Sequence, residues 1–169
     1  TRKQEAWRLT DLKRLEAVAT LPEVSETPDL RMPAAVDGVT RLVLGGQTDP
    51  LNGVTLPEGV TSLTDAELTH HLGHSLDQCG CAEAWPVQFN HAHSRHVLAL
   101  RVCGKVPALE LVLASGVGLT ATRVLLLLED NAELELLQVF PSGPSSSDGP
   151  CAHSHVLEAH LGQNAHLRH

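Results

Sequence analysis

Residues 125–139, LLLLEDNAELELLQV, and residues 156–169, VLEAHLGQNAHLRH, decide how this chain is read. Each has an apolar or alternating run, a short turn ending in Asn-Ala, and a second alternating run. The turns are Glu129-Asp130-Asn131-Ala132 and Gly162-Gln163-Asn164-Ala165, so the two Asn-Ala steps lie 33 residues apart. Alternation at Leu134, Leu136 and again at Leu167 asks for strands with one buried face. Asparagine tolerates the left-handed backbone of a sharp bend, and the alanine after it fits where a larger side chain would not. Asn131, Ala132, Asn164 and Ala165 are therefore structural residues. Two such units in series predict strands stacked as a solenoid, although a hairpin meander produces the same pattern. No turn or cap follows the last strand-like run. The expectation is that further coils continue beyond His169 and that the open end near Leu167 promotes self-association.

Working outward, the strand pattern extends back to His96. Residues 97–102, 109–113, 124–128 and 134–139 read as strands separated by Gly, Pro or Asn turns. Before them the period is helical. Residues 4–18 predict an amphipathic helix with Trp7, Leu12, Leu15 and Val18 on one broad side, and Trp7 is expected to anchor it to the body of the protein. Residues 20–36 read as linker, and 41–44 as a short strand. Thr64 with Glu67 three residues on forms a capping box opening a helix that ends near Gly73. Residues 75–84 read as irregular, 86–94 as a second short helix, and 141–150 as a surface loop. The boundary falls near residue 90: a mixed helical cap over 1–90, then stacked strands over 91–169.

Net charge is -8, from 12 Lys and Arg against 20 Asp and Glu, which supplies no basic footprint for nucleic acid or an anionic membrane. The most apolar run, residues 124–128, is far shorter than the roughly 20 residues that cross a bilayer. Two Phe, two Trp and no Tyr leave an almost wholly aliphatic core. Cys79 and Cys81 are too close for an ordinary mutual bridge, and the chain is large enough to fold without staples. The four cysteines therefore point to a reducing compartment, the cytoplasm or a plastid stroma.

The tempting chemistry is the run His70, His71, His74, Cys79, Cys81, His91, His93, His96. Imidazole and thiolate suit zinc, and His70 and His74 fall one turn apart on a continuous helix. The spacing argues against a metal site. Cys79-Gly80-Cys81 is not a Cys-x2-Cys knuckle, His70-His71-x2-His74 is not His-Glu-x2-His, and no carboxylate sits inside the pattern to act as base. The expectation is no bound metal, with His70, His74, Cys79 and Cys81 as candidates if one exists. Cys103 reads as a buried thiol at the end of a strand. His153-x-His155 on a strand would turn both rings to one face, so a ligand pair is conceivable there, although Cys151, His153 and His155 match no recognised arrangement. Gly45-Gly46 and Gly116-Val117-Gly118 lack nucleotide-binding patterns, and nothing orients a serine among residues 142–147. No enzyme emerges.

Several segments, in order, resemble the SufB/SufD family of iron–sulfur cluster assembly scaffold proteins. Glu5-Ala6-Trp7-Arg8-Leu9-Thr10-Asp11-Leu12 is similar to E-x-W-R-Y-T-D-L, departing at Leu9, where the family has an aromatic. Leu56-Pro57-Glu58-Gly59-Val60 with Ser62-Leu63 resembles LPEGV-x-x-SL, with one intervening residue in place of two, Phe89-Asn90-x-Ala92 an L-N-x-A step, and residues 107–111 a family strand. Arg123 to Leu134 resembles R-x-L-I-V-x-E-x-x-A-E-x-T-L, and His155 to Leu167 is similar to the later T-x-x-x-E-x-x-L-G-x-N-A-x-L run. The short amino-terminal part favours the SufD-like type, as in cyanobacteria or plastids.

The resemblance implies a mainly β protein, the start of a right-handed parallel β-helix behind a small mixed helical region. It implies a non-catalytic subunit working with SufB-like and SufC-like partners, with an iron–sulfur cluster only in the assembled complex and no cofactor on this chain. The family's SufC-docking helices and interface histidine lie in its carboxy-terminal half, so no histidine here inherits that role. Two alternatives remain: a metal-dependent enzyme using His70, His74, Cys79 and Cys81, and a self-contained β-solenoid binding module.

Overall fold

The computed structural model describes residues 11–24, 34–45, 48–141 and 149–169. Helix α1 (Leu12–Val18) starts where the Asp11 carboxylate accepts from the backbone N–H groups of Lys13 and Arg14. That satisfies donors a helix start otherwise leaves free. Residues 4–10 of the expected longer helix, Trp7 among them, lie outside the described residues, as do 25–33, 46–47 and the 142–148 part of the expected loop.

Strands β1 (Thr40–Leu44) and β2 (Val60–Ser62) precede three short helices: α2 (Asp65–His71), α3 (His74–Gln78) and α4 (Trp85–His93). The Thr64–Glu67 capping box is fully formed at the start of α2. Part of the stretch expected to be irregular is α3. Gly73 takes φ 87°, ending α2 and re-aiming the chain into a second short helix, a break within the helical pattern. The remaining strands are β3 (Val97–Val102), β4 (Leu109–Leu113), β5 (Gly118–Leu128), β6 (Glu133–Val139), β7 (Cys151–Leu161) and β8 (His166–Arg168).

The expected single parallel β-helix is not the architecture. The strands form two separate four-stranded sheets, in orders β1-β4-β6-β8 and β2-β3-β5-β7, and strand direction is mixed, because β2 runs antiparallel to β3 while the other pairs are parallel. Alternating hydrophobicity reports which face of a strand is buried. It carries no information on which strand lies alongside, so a continuous coil was an over-extension of the Asn-Ala repeat. The turn at Asn131 is not a hairpin, since β5 and β6 belong to different sheets. Pairing also crosses residue 90, with β1 on β4 and β2 on β3.

Leucines from both sheets meet in one core. Leu42, Leu111, Leu113 and Leu136 from one sheet cluster with Leu98, Leu100 and Leu126 from the other. The unbroken LLLL of β5 is buried on its other face too, where Leu125 and Leu127 pack beneath Leu63, Leu68 and Leu72 around α2. A run without alternation is what a strand covered on both faces requires.

The two Asn-Ala turns stack. Asn131 and Asn164 adopt φ 61° and 55°, Asn164 Nδ2 lies 3.5 Å from Asn131 Oδ1, and Ala132 is fully buried. A Cβ at Gly162 would meet Asp130 Oδ1 at 2.6 Å and the Asp130 backbone nitrogen at 2.7 Å, so this turn admits only glycine there. Leu126→Ala should lower stability by about 2–5 kcal/mol, seen as a reduced urea midpoint with an unchanged slope.

Candidate functional site

Among the described residues, polar groupings that contain histidine interrupt the apolar framework. The first is an imidazole cluster at the junction of α2, α3 and β7. The capping box fixes α2, its last turn carries His70 and His71, and the bend at Gly73 brings His74 back towards them. Ring centroids lie 4.7 Å apart for His70–His71, 6.0 Å for His70–His74, 5.6 Å for His71–His160 and 6.5 Å for His74–His160. His160, on β7, is held by Ser75 Oγ at 3.1 Å. Desolvation pushes His71 below the usual imidazole value, and the nearby His70, His160, His74 and Arg101 charges add to the effect. Cys79 and Cys81 sit on the exposed turn after α3.

Among the described residues no three His, Cys, Asp or Glu side chains are grouped to hold a metal ion. The four candidates His70, His74, Cys79 and Cys81 are thus not assembled as one ligand set. What the sequence missed is His160, 86 positions after His74 by number, whose approach depends on strand pairing. The even-numbered run Val156, Glu158, His160 on one side of β7 was the available signal.

The second grouping is buried beneath the helices. Arg123 on β5 and Glu158 on β7 form an ion pair at 2.9 Å with side chains 4% and 0% exposed. The other Glu158 oxygen accepts the Gly73 N–H at 2.8 Å, tying the α2–α3 bend to the sheet. Arg123 Nη1 lies 3.1 Å from His91 Nδ1, which accepts from it and is therefore unprotonated at that nitrogen. Asn90, fully buried on α4, donates to the carbonyls of Thr122 and Ser154, clamping α4 across β5 and β7. Arg123 and Glu158 both fall on family-like segments of the sequence, but their pairing with each other depends on strand register and was not read from it.

The third lies on the inner face of β5 and β7, past the end of the leucine layer. His153 Nδ1 is 2.7 Å from Ser115 Oγ, and its Nε2 is 2.9 Å from Thr122 Oγ1. The same hydroxyl is 2.8 Å from His155 Nδ1, and His155 Nε2 is 2.8 Å from Gln138 Nε2. Gln138 can only donate from its nitrogen, which fixes His155 as acceptor at Nε2 and donor at Nδ1. With the Thr122 hydroxyl donating to His153 Nε2, His153 donates to Ser115 and both rings are neutral. In agreement, burial pushes His153 down to about 4, with the His155 charge adding to it, and burial also lowers His155. His153 and His155 do share one face, as the His-x-His spacing required. Their second nitrogens go to hydroxyl and amide groups. Among the described residues the other His153 nitrogen faces Thr122 and not a carboxylate, so the Ser115–His153 contact lacks the orienting group of a nucleophilic triad.

Cys103, expected to be buried, is exposed. Val102 is the last inward-facing residue of β3, so period-2 alternation turns Cys103 outward. There the Glu129 carboxylate hydrogen-bonds the thiol and raises it above its ordinary value. No helix among the described residues is long and apolar enough to cross a membrane. Comparison with family models, with curated proteins and with solved structures finds no match for this chain.

Two expectations follow. Glu158→Gln strands the buried Arg123 charge and should destabilise by about 3–5 kcal/mol in urea unfolding, and the paired change Arg123→Met with Glu158→Leu should recover much of it. For His153 the folded pKa lies below the unfolded value, so the unfolded chain binds the proton first. Its contribution is fully present above pH 6.5 and is lost as pH falls towards about 4, by up to about 3 kcal/mol. Urea midpoints measured from pH 7.5 to 4.5 should fall less steeply in His153→Gln.

Proposed function

We propose that this chain is a non-catalytic, SufD-like scaffold subunit of iron–sulfur cluster assembly, acting in the cytoplasm or a plastid stroma. It would work with a SufB-like and a SufC-like subunit. The observation that carries the proposal is the ordered series of SufB/SufD-like segments running from Glu5 to Leu167. The β-helix implied by the same resemblance is not retained, so the proposal rests on these segments and their roles.

Support comes from where the matching residues sit. Gly59 of the Leu-Pro-Glu-Gly-Val segment has φ 84°, and a Cβ there would meet the Cys103 carbonyl oxygen at 2.6 Å. Asn90 of the Phe-Asn-x-Ala step is the buried clamp on β5 and β7. Gly162 and Asn164 of the Leu-Gly-x-Asn-Ala run form the stacked turn. The resemblance thus falls on positions with strict backbone or hydrogen-bonding demands. In the proposed role the chain contributes surfaces to an assembly, and iron and sulfide reside on it only within the complex.

The test is co-production of the tagged chain with a SufB-type and a SufC-type protein, followed by affinity purification. The expected result is joint retention of both partners through washing at moderate salt, with iron and acid-labile sulfide recovered only from the three-component material. Retention of neither partner rejects the proposal.

A further inference from the structure

The exposed turn closing α3 carries Cys79-Gly80-Cys81, and its geometry draws the two cysteines together. Residues two apart span at most about 7 Å even when extended. Here the span is bent, because Gly80 takes φ 70°. The Leu76 carbonyl accepts both the Cys81 backbone N–H at 2.8 Å and the Cys79 thiol at 3.4 Å. The Cys81 sulfur lies 3.7 Å from the Cys79 carbonyl oxygen. Both sulfurs therefore lie over one turn and in contact with solvent.

We propose that Cys79 and Cys81 are a vicinal dithiol, a modification site that closes reversibly into a disulfide within the turn when it meets a low-molecular-weight disulfide such as oxidised glutathione. The Cys79 thiolate attacks one glutathione sulfur. The glutathione disulfide breaks, a mixed disulfide forms on Cys79, and one glutathione leaves as thiolate. Cys81 then gives its proton to solvent and attacks the Cys79 sulfur, expelling the second glutathione. Two cysteine thiols are oxidised and one external disulfide is reduced to two thiols. The neighbouring Cys79 thiol raises Cys81 above its ordinary value, which keeps Cys81 protonated and suits it to be the resolving partner.

The short span that excludes an ordinary structural bridge makes this one strained and exposed, the type readily reduced again. The other cysteines do not compete with each other. Cys103 follows the end of β3 that pairs with Leu128, while Cys151 pairs with Gly118 at the far end of β5, about 30 Å away at strand rise. Closure would rigidify the turn that ends α3, against which Leu76 and Ala82 line a recess beside Arg123.

The experiment equilibrates the full chain in glutathione buffers of rising oxidised fraction, traps free thiols with a maleimide, and maps the digested peptides by mass. Cys79 and Cys81 should lose labelling together, in a peptide lacking two hydrogens, and dithiothreitol should restore both. In Cys81→Ser, Cys79 should stop at the glutathione mixed disulfide. Phenylarsine oxide, which bridges paired thiols, should bind the chain and be retained by neither Cys79→Ser nor Cys81→Ser. Separate glutathiones on Cys79 and Cys81, bridges from either to Cys103 or Cys151, or arsenical binding that survives Cys81→Ser would each overturn the proposal.

Discussion

Burial of β5 on both faces is the constraint from which the rest of the fold follows. Its four consecutive leucines leave no side of the strand for water. Val124, Leu126 and Leu128 point into the space shared with the second sheet, and Leu125 and Leu127 point the other way. A strand of this kind needs a neighbour on each edge and a layer over each face. Strands β3 and β7 supply the edges, the second sheet covers one face, and the helices cover the other. The helices are short and lack the length to be stable alone, so they exist because the outer leucines of β5 require a cover.

That requirement also explains why two formal charges are fully buried. Arg123 belongs to the outward series with Leu125 and Leu127, so the layer that covers the leucines covers the guanidinium as well. Leu125 pairs with Glu158 in register, placing the carboxylate one strand away on the same face. Its second oxygen then finds the N–H of Gly73, a residue whose left-handed backbone leaves that donor outside the helix ladders. The ion pair is a consequence of burial that also locks the α2–α3 bend in place. Removing the charge from one member alone is worse than removing both. Along the inner face the chemistry changes in the opposite sense. Thr120, Thr122, His153 and His155 take over from leucine, and the Thr120 hydroxyl is buried without a partner among the described residues. One end of the inner core is thus aliphatic, and the other holds two imidazoles that burial keeps below the ordinary value.

What was legible in the sequence follows from which interactions are local. The capping box at Thr64, the left-handed asparagines and most strand positions depend on residues within one turn or one pleat, and each can be read from spacing. The strand partners could not. Val60 to Ser62 pairs with β3 in the antiparallel sense, a choice set by the path of some forty intervening residues. The candidate site shows the same division. His70, His71 and His74 were visible as a cluster, but their fourth member is His160 on β7. Cys103 was misjudged for a local reason, because hydrophobic character was weighed above the parity of its position after Val102.

The residues that carry the SufB/SufD resemblance and the residues capable of chemistry are largely different sets, in different layers. Gly59, Gly162 and Asn164 lie at turns that the strands require, whereas Cys79, Cys81 and the imidazoles of α2 and α3 lie on the helical cover. In the proposed scaffold role the first set holds the surfaces in place, and the second is not called on. The cover is therefore where an added, environment-responsive function can arise without disturbing the sheets. Its attachment to them runs through a few defined points: Asn90 on the β5 and β7 carbonyls, Glu158 on Gly73, and leucines over Leu125 and Leu127. A change in the α3 turn acts on that attachment first, and reaches the sheet through Ser75 on His160 and through Glu158 and Arg123.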